Sequence, residues 1–136
     1  MMTKARKLPH KIYVFGNTLL KKDSLAVELS KKLKKYFPKI DFAHLDPNEE
    51  IKEKEIIILD VADGIKKVSI IKNINQLKQE KRFSLHDFDV GFSLKLMEKI
   101  GLIKKIKIIA IPINYNKKKA YEEVKREIKK LPPLHP

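Results

Sequence analysis

Hydrophobic residues along this chain form short uninterrupted runs that alternate with segments of helical periodicity. The most apolar run covers residues 55–60, in which isoleucines and a leucine follow one another and end at Asp60. A run without alternation is typical of a strand that is buried on both faces of a sheet. In open α/β sheets the carboxyl ends of the strands form the edge where ligands bind, so this pattern makes Asp60 a candidate functional residue.

The other runs predict further strands and helices around this central strand. The strands are predicted at 11–15, 40–45, 68–72 and 105–112, and the helices at about 23–36, 88–100 and 117–130. The strand at 68–72 is more polar and is expected near an edge. The alternation of strands and helices predicts, for residues 1–136, a single-domain three-layer α/β/α sandwich with a twisted, mostly parallel sheet.

Finer features of the pattern predict local details. Asp23 or Ser24 suits the N-cap of the first helix, and Pro38 follows its end. Glu122 and Arg126 have the i,i+4 spacing of an ion pair in the last helix. The apolar stripe of the first helix is predicted to contain Leu25, Leu29, Leu33 and Tyr36. Turns are predicted at 46–48 and 63–64, and a loop at 73–82.

Composition limits the available chemistry. The chain has 136 residues, which suits one domain, and it contains no cysteine. Disulfides, thiolate metal sites and a cysteine nucleophile are therefore excluded, and catalysis must use oxygen and nitrogen groups. No apolar run approaches the roughly 18 residues of a membrane span, and the basic start lacks a signal-type apolar region. We therefore expect a soluble, cytoplasmic protein.

The net charge of +14 raises the question of nucleic acid as a partner. The basic residues are almost all lysines, they occur in nearly every segment, and few aromatic residues lie between them. This distribution predicts a generally basic surface, as in proteins of thermophiles, and no nucleic-acid partner. A basic nucleic-acid-binding α/β module is the alternative, and lysines gathered in one aromatic-lined groove would favour it.

Three residues distant in sequence lie where strands are followed by loops or helices: Asp23, Asp60 and His86. If the first and third strands are parallel neighbours, Asp23 and Asp60 share one edge of the sheet, and His86 could complete the set. Two carboxylates and an imidazole can bind zinc or nickel and leave positions open for water or substrate. Such a metal polarises a carbonyl or lowers the pKa of bound water to about 7. The set therefore predicts a metal-dependent hydrolase.

Each candidate also has a structural interpretation. In this interpretation, Asp23 serves solely as a helix cap, and His86 is a surface or capping histidine. Asp60 could form a turn or be the strand-end acid of a phosphate-accepting signalling domain. Such a domain also needs an acidic pair after its first strand, where residues 15–17 are Phe, Gly and Asn. Asp87 and Asp89 are expected to cap a helix or to support His86. No role is assigned to the remaining histidines, His10, His44 and His135.

Segments 14–23, 57–62 and 84–88 together resemble the nickel-iron hydrogenase maturation endopeptidases, which trim the C-terminus of the hydrogenase large-subunit precursor. The resemblance covers roughly residues 11–112. Its most specific part is Gly16 and Asn17 with an acid six residues after Asn17, combined with the strand-end Asp60 and the later His86. The chain departs from the family where Val14, Ser24 and Ala26 replace glycines and Lys22 replaces an acid.

The resemblance implies both an activity and a ligand set. Asp23, Asp60 and His86 correspond to the residues that bind the metal, and Gly16 and Asn17 shape the adjoining loop. The expected activity is nickel-dependent endopeptidase cleavage of the large-subunit precursor after nickel insertion, with nickel supplied by that substrate. The resemblance also implies a twisted α/β/α fold. A non-enzymatic scaffold for hydrogenase maturation is a further alternative.

Overall fold

A mostly parallel sheet with two helices forms the framework of the protein. The structure is a computed structural model that describes residues 8–14, 21–44, 51–72, 84–85 and 105–131, without the side chains of residues 21–24, 63, 84 and 85. The strands are β1 (Lys11–Val14), β2 (Asp41–His44), β3 (Glu55–Asp63), β4 (Ser69–Ile71), β5 (Ser84–Leu85) and β6 (Lys105–Pro112). The helices are α1 (Lys21–Tyr36) and α2 (Lys117–Lys130).

The sheet has the strand order β2-β1-β3-β6-β4, with the short β5 beside β3. Strands β2, β1, β3 and β6 are parallel to their neighbours, whereas β4 pairs with β6 and β5 with β3 in antiparallel fashion. The predicted mostly parallel α/β fold is therefore confirmed. The prediction that the polar strand near residue 70 lies at an edge is also confirmed.

Strand β3 is longer than its pattern predicts. It runs to Asp63, because Val61 and Ala62 continue the buried run and pair with Ile111 and Pro112 of β6. Asp60 therefore lies inside the strand rather than at its end, and the prediction of a strand end at residue 60 is wrong. The predicted turn is found after Asp63, where Gly64 takes φ 89°, a left-handed conformation that glycine adopts without steric cost.

Both described helices pack on one face of the sheet, called here the first face. Helix α1 contributes Leu25, Leu29 and Leu33 to this core, in agreement with the predicted stripe. Tyr36 is instead 44% exposed, and the next residue, Phe37, is buried in its place. The helix ends there because the residue before a proline is disfavoured in the α conformation. Since α1 is already helical at Lys21, the predicted N-cap at residue 23 or 24 is wrong.

Helix α2 has the predicted bounds. Asn116 caps its amino end, where the side-chain oxygen accepts a hydrogen bond of 2.9 Å from the backbone N–H of Lys119. The side chains that it buries against the sheet are Ala120, Val124 and Ile128. Glu122 forms its salt bridge with Lys125 at i+3, with a distance of 3.4 Å, rather than with the predicted Arg126 at i+4.

The opposite face of the sheet, the second face, is also buried. Its core contains Tyr13, Ile51, Ile56, Ile58, Ala62, Ile71, Ile106, Ile108 and Ala110. The predicted helix at 88–100, the loop at 73–82 and the turn at 46–48 lie outside the described residues. The second helical layer of the α/β/α sandwich therefore stays a prediction, which the burial of the second-face side chains supports.

Candidate functional site

The carboxyl ends of β1 and β3 form a switch point in the sheet. β2 lies on one side of this strand pair, and β6 and β4 lie on the other. β1 pairs with β3 through Tyr13 opposite Ile58 and Val14 opposite Leu59, and then ends. Asp60 is consequently the first β3 residue beyond the end of β1. Crevices at such switch points are the usual ligand sites of open α/β sheets.

Asp60 is the only charged residue among the buried side chains of the described segments, with 1% of its surface exposed. Its Oδ1 accepts a hydrogen bond of 2.7 Å from the backbone N–H of Val61. Burying a carboxylate is costly unless polar groups hold it, and a buried acid at a sheet edge is a candidate for a functional role. The Asp60 carboxylate is thus buried from solvent and held in one orientation by a backbone hydrogen bond.

The alternation of side chains along β3 determines which face Asp60 occupies. Ile57 and Leu59 lie in the first-face core with the helices, whereas Ile58 and Ala62 lie in the second-face core. Because successive side chains in a strand point to opposite faces, Asp60 belongs to the second face. A ligand bound by Asp60 and by residues near α1 must therefore sit over the edge of the sheet, beyond the end of β1.

Asp23 belongs to the first turn of α1, on the first-face side of the same edge. Since β1 and β2 are parallel, the connection between them returns from the carboxyl edge of the sheet to its amino edge, and α1 begins near the carboxyl edge. The condition for a shared edge, that β1 and β3 are parallel neighbours, is met. The side chain of Asp23 is outside the described part of the structure, so its distance from Asp60 stays a prediction.

Strand β5 brings the segment before His86 to this edge. Leu85 pairs with Ala62 and Ser84 pairs with Asp63, beyond the point where β1 ends. Leu85 therefore lies opposite a residue two positions from Asp60. His86 itself lies outside the described residues, as do Gly16, Asn17, Asp87 and Asp89, and the role of each stays a prediction.

The side chains of Asp23, Asp60 and His86 are of the types that bind divalent metals. Carboxylate oxygens and an imidazole nitrogen are accepted by zinc and nickel alike. Within the described side chains, no group of three acidic or histidine residues could hold a metal. The predicted set of Asp23, Asp60 and His86 includes two side chains beyond that part of the structure, so the ligand assignment stays a prediction.

A second ionisable cluster lies at the opposite, amino edge of the sheet, and the sequence did not reveal it. The hydroxyl of Tyr13 donates a hydrogen bond of 2.7 Å to the Glu53 carboxylate, and the Nζ of Lys11 lies 3.3 Å from Glu53 Oε1. The same Nζ lies 4.6 Å from the centre of the Tyr13 ring. These residues are about 40 positions apart in sequence, so no local spacing could have indicated their contact.

The cluster shifts the pKa values of its members in opposite directions. Burial and the hydrogen bond to Glu53 raise the pKa of Tyr13. For Glu53, burial acts to raise the pKa, but hydrogen bonds from Tyr13 and Lys11 outweigh it and lower the pKa. A lowered carboxyl pKa stabilises the fold above the unfolded-state pKa, and this contribution is lost as pH falls through the folded-state pKa.

We expect Glu53→Gln to lower the free energy of unfolding by about 1 kcal/mol at neutral pH, because the neutral amide is a weaker acceptor for Tyr13 and Lys11. The difference should be constant from about pH 6 to 9. It should shrink as pH falls below about 4.5, the ordinary glutamate pKa, and through the lower pKa of the folded-state carboxyl. Urea unfolding of both proteins across this range measures it. Tyr13→Phe serves as the partner variant in a double-mutant cycle. If the loss of unfolding free energy in Glu53→Gln persisted undiminished at about pH 3, the assignment to the Glu53 carboxylate would be contradicted.

No helix in the described segments is long and apolar enough to cross a membrane. The chain matches no protein-family model, no curated protein and no solved structure.

Proposed function

We propose that the protein is a nickel-dependent endopeptidase that removes the C-terminal extension of a nickel-iron hydrogenase large-subunit precursor after nickel insertion. The observation that carries the proposal is the position of Asp60, a buried carboxylate immediately beyond the end of β1 at the switch point of the sheet. The start of α1 and the strand that precedes His86 reach the same edge. This arrangement agrees with the ligand set that the sequence resemblance implies.

In this proposal Asp23, Asp60 and His86 hold the nickel ion carried by the precursor. The metal supplies polarisation of the scissile peptide carbonyl. The hydrogen bond from the Val61 N–H orients the Asp60 carboxylate before the substrate arrives. The pairing of β5 with β3 holds the backbone next to His86. Orientation of this kind lowers the entropy cost of assembling the site.

The need for nickel in the substrate follows from the same arrangement. If the chain provides only part of the coordination, a precursor without nickel cannot form the polarising centre, and its peptide bond stays intact. The protease would therefore detect metal loading rather than a peptide sequence alone.

The test is a cleavage assay with nickel-loaded and nickel-free large-subunit precursor, in which mass spectrometry detects the released C-terminal peptide. We expect release from the loaded precursor only. Binding of the loaded precursor without cleavage would contradict the protease function and support a role as a maturation scaffold. Equal cleavage of both precursors would show that nickel is not the signal.

A further inference from the structure

An open groove of about 680 Å³ lies between α1 and α2, on the side of these helices that faces away from the sheet. Its lining consists of lysines and tyrosines from both helices: Lys32, Lys35, Tyr36, Lys117, Lys118 and Tyr121. These residues come from two segments separated by about 80 positions in sequence. The fold thus collects in one place lysines that appear evenly spread along the chain.

The charges of the groove are largely uncompensated. Lys117 forms a salt bridge of 3.0 Å with Glu28, and its side chain is still 67% exposed. Lys32, Lys35 and Lys118 are exposed, and none of them forms a salt bridge with a carboxylate in the described segments. Three like charges around one concave surface produce a strong positive potential, and the net charge of +14 adds to it.

Aromatic rings continue the basic surface along α2. The Nζ of Lys125 lies 4.5 Å from the centre of the Tyr36 ring and 4.9 Å from that of Tyr121. The Nζ of Lys129 lies 4.9 Å from the centre of the Tyr36 ring, and the nearby ammonium group lowers the pKa of Tyr36. Despite these contacts, 44% of the surface of Tyr36 is exposed.

We propose that this groove binds a single strand of nucleic acid, an activity separate from the proteolysis proposed above. Lys32, Lys35 and Lys118 contact successive phosphates, and a base stacks on the exposed part of Tyr36. A positive groove that follows the backbone, together with aromatic side chains for the bases, is how proteins bind single strands without sequence preference. Lysine ammonium groups suit this role because they act as mobile point charges for phosphate.

The rings favour nucleic acid over an acidic protein segment. The face of an aromatic ring carries partial negative charge, so it attracts cations and stacks with bases but repels carboxylates. A concave groove between two helices also suits a flexible strand better than a rigid duplex. From Lys32 to Tyr36 the wall of α1 is about 6 Å long at the helical rise, which places Lys32 and Lys35 at a spacing suited to neighbouring phosphates.

The test is fluorescence anisotropy of a labelled oligothymidine of about 12 nucleotides, titrated with the intact protein at several salt concentrations. Three phosphate contacts to a single strand predict a slope of log affinity against log salt of about −2, or about 20-fold weaker binding at about 200 mM than at about 50 mM salt. Lys32→Gln with Lys35→Gln should reduce the slope to about −0.7. The matched control, Lys66→Gln with Lys67→Gln, removes the same charge from exposed positions outside the groove and should leave the slope unchanged.

Two further variants separate the groove from general basicity. Glu28→Gln releases Lys117 from its salt bridge and should tighten binding several-fold, with a steeper slope by about 0.7. Tyr36→Leu keeps the charges and should weaken binding by about fivefold or more through lost stacking. Equal losses in both double-lysine variants would overturn the proposal, because the whole basic surface would then be responsible. Stronger binding of a polyglutamate peptide than of the oligonucleotide would overturn it in favour of an acidic protein partner.

Discussion

Asp60→Asn is expected to lower the trimming rate of the nickel-loaded precursor by at least about 100-fold. Loss of a residue that merely supports a metal ligand already costs about 10- to 100-fold, and loss of a ligand should cost more. Asparagine has nearly the same shape as aspartate and can still accept the hydrogen bond from the Val61 N–H, but it lacks the negative charge. The substitution therefore tests the charge of Asp60 with little change in packing.

The matched control for Asp60→Asn is Asp41→Asn, which makes the same chemical change at an exposed position of β2. It should leave the trimming rate unchanged. His86→Ala should lose activity as Asp60→Asn does, and thermal unfolding should show that each variant is folded. If a folded Asp60→Asn variant trimmed the loaded precursor at the wild-type rate, Asp60 would not be a ligand, and its burial would need a structural explanation.

Ile57→Ala and Ile58→Ala are each expected to lower the free energy of unfolding by about 2–5 kcal/mol. These neighbours on β3 are both 1% exposed, but Ile57 lies in the first-face core under α1 and α2, and Ile58 lies in the second-face core. A cavity costs this much only where close-packed neighbours surround it and cannot collapse into it. Equal costs would therefore show that the second face carries a packed layer like the first.

Urea unfolding of both alanine variants measures the comparison, with Ile57→Val and Ile58→Val as smaller changes expected to cost about 0.5–1.5 kcal/mol. A domain of this size is stable by only about 5–15 kcal/mol, so the alanine losses will be large shifts in the midpoint. A cost below about 1 kcal/mol for Ile58→Ala alone would contradict the predicted three-layer sandwich, because a loosely covered face collapses or admits water.

Much of the fold could be predicted from local pattern. The bounds of β6 and α2 agree with the prediction, because strong apolar runs and an asparagine cap determine them with little help from the rest of the chain. The errors lie where tertiary contacts compete with local preference. β3 extends through Val61 and Ala62 because β6 offers partners. Phe37 rather than Tyr36 lies in the first-face core.

The candidate site could be predicted in part. The sequence singled out Asp60, and the condition that brings it near α1, parallel pairing of β1 with β3, is met. The face that Asp60 occupies and its near-complete burial could not be predicted, because both depend on the register of β3 against its neighbours and on where β1 ends.

By itself, the sequence determined the main strands and both helices of the described segments, the absence of thiol chemistry and the strongly basic balance, since composition and periodicity are local properties. Only the tertiary structure decided which distant residues meet. The contact of Tyr13 with Glu53 and the collection of lysines from α1 and α2 in one groove both arise from the path of the chain. That path is decided by how the whole set of apolar faces packs together, and no single segment contains this information.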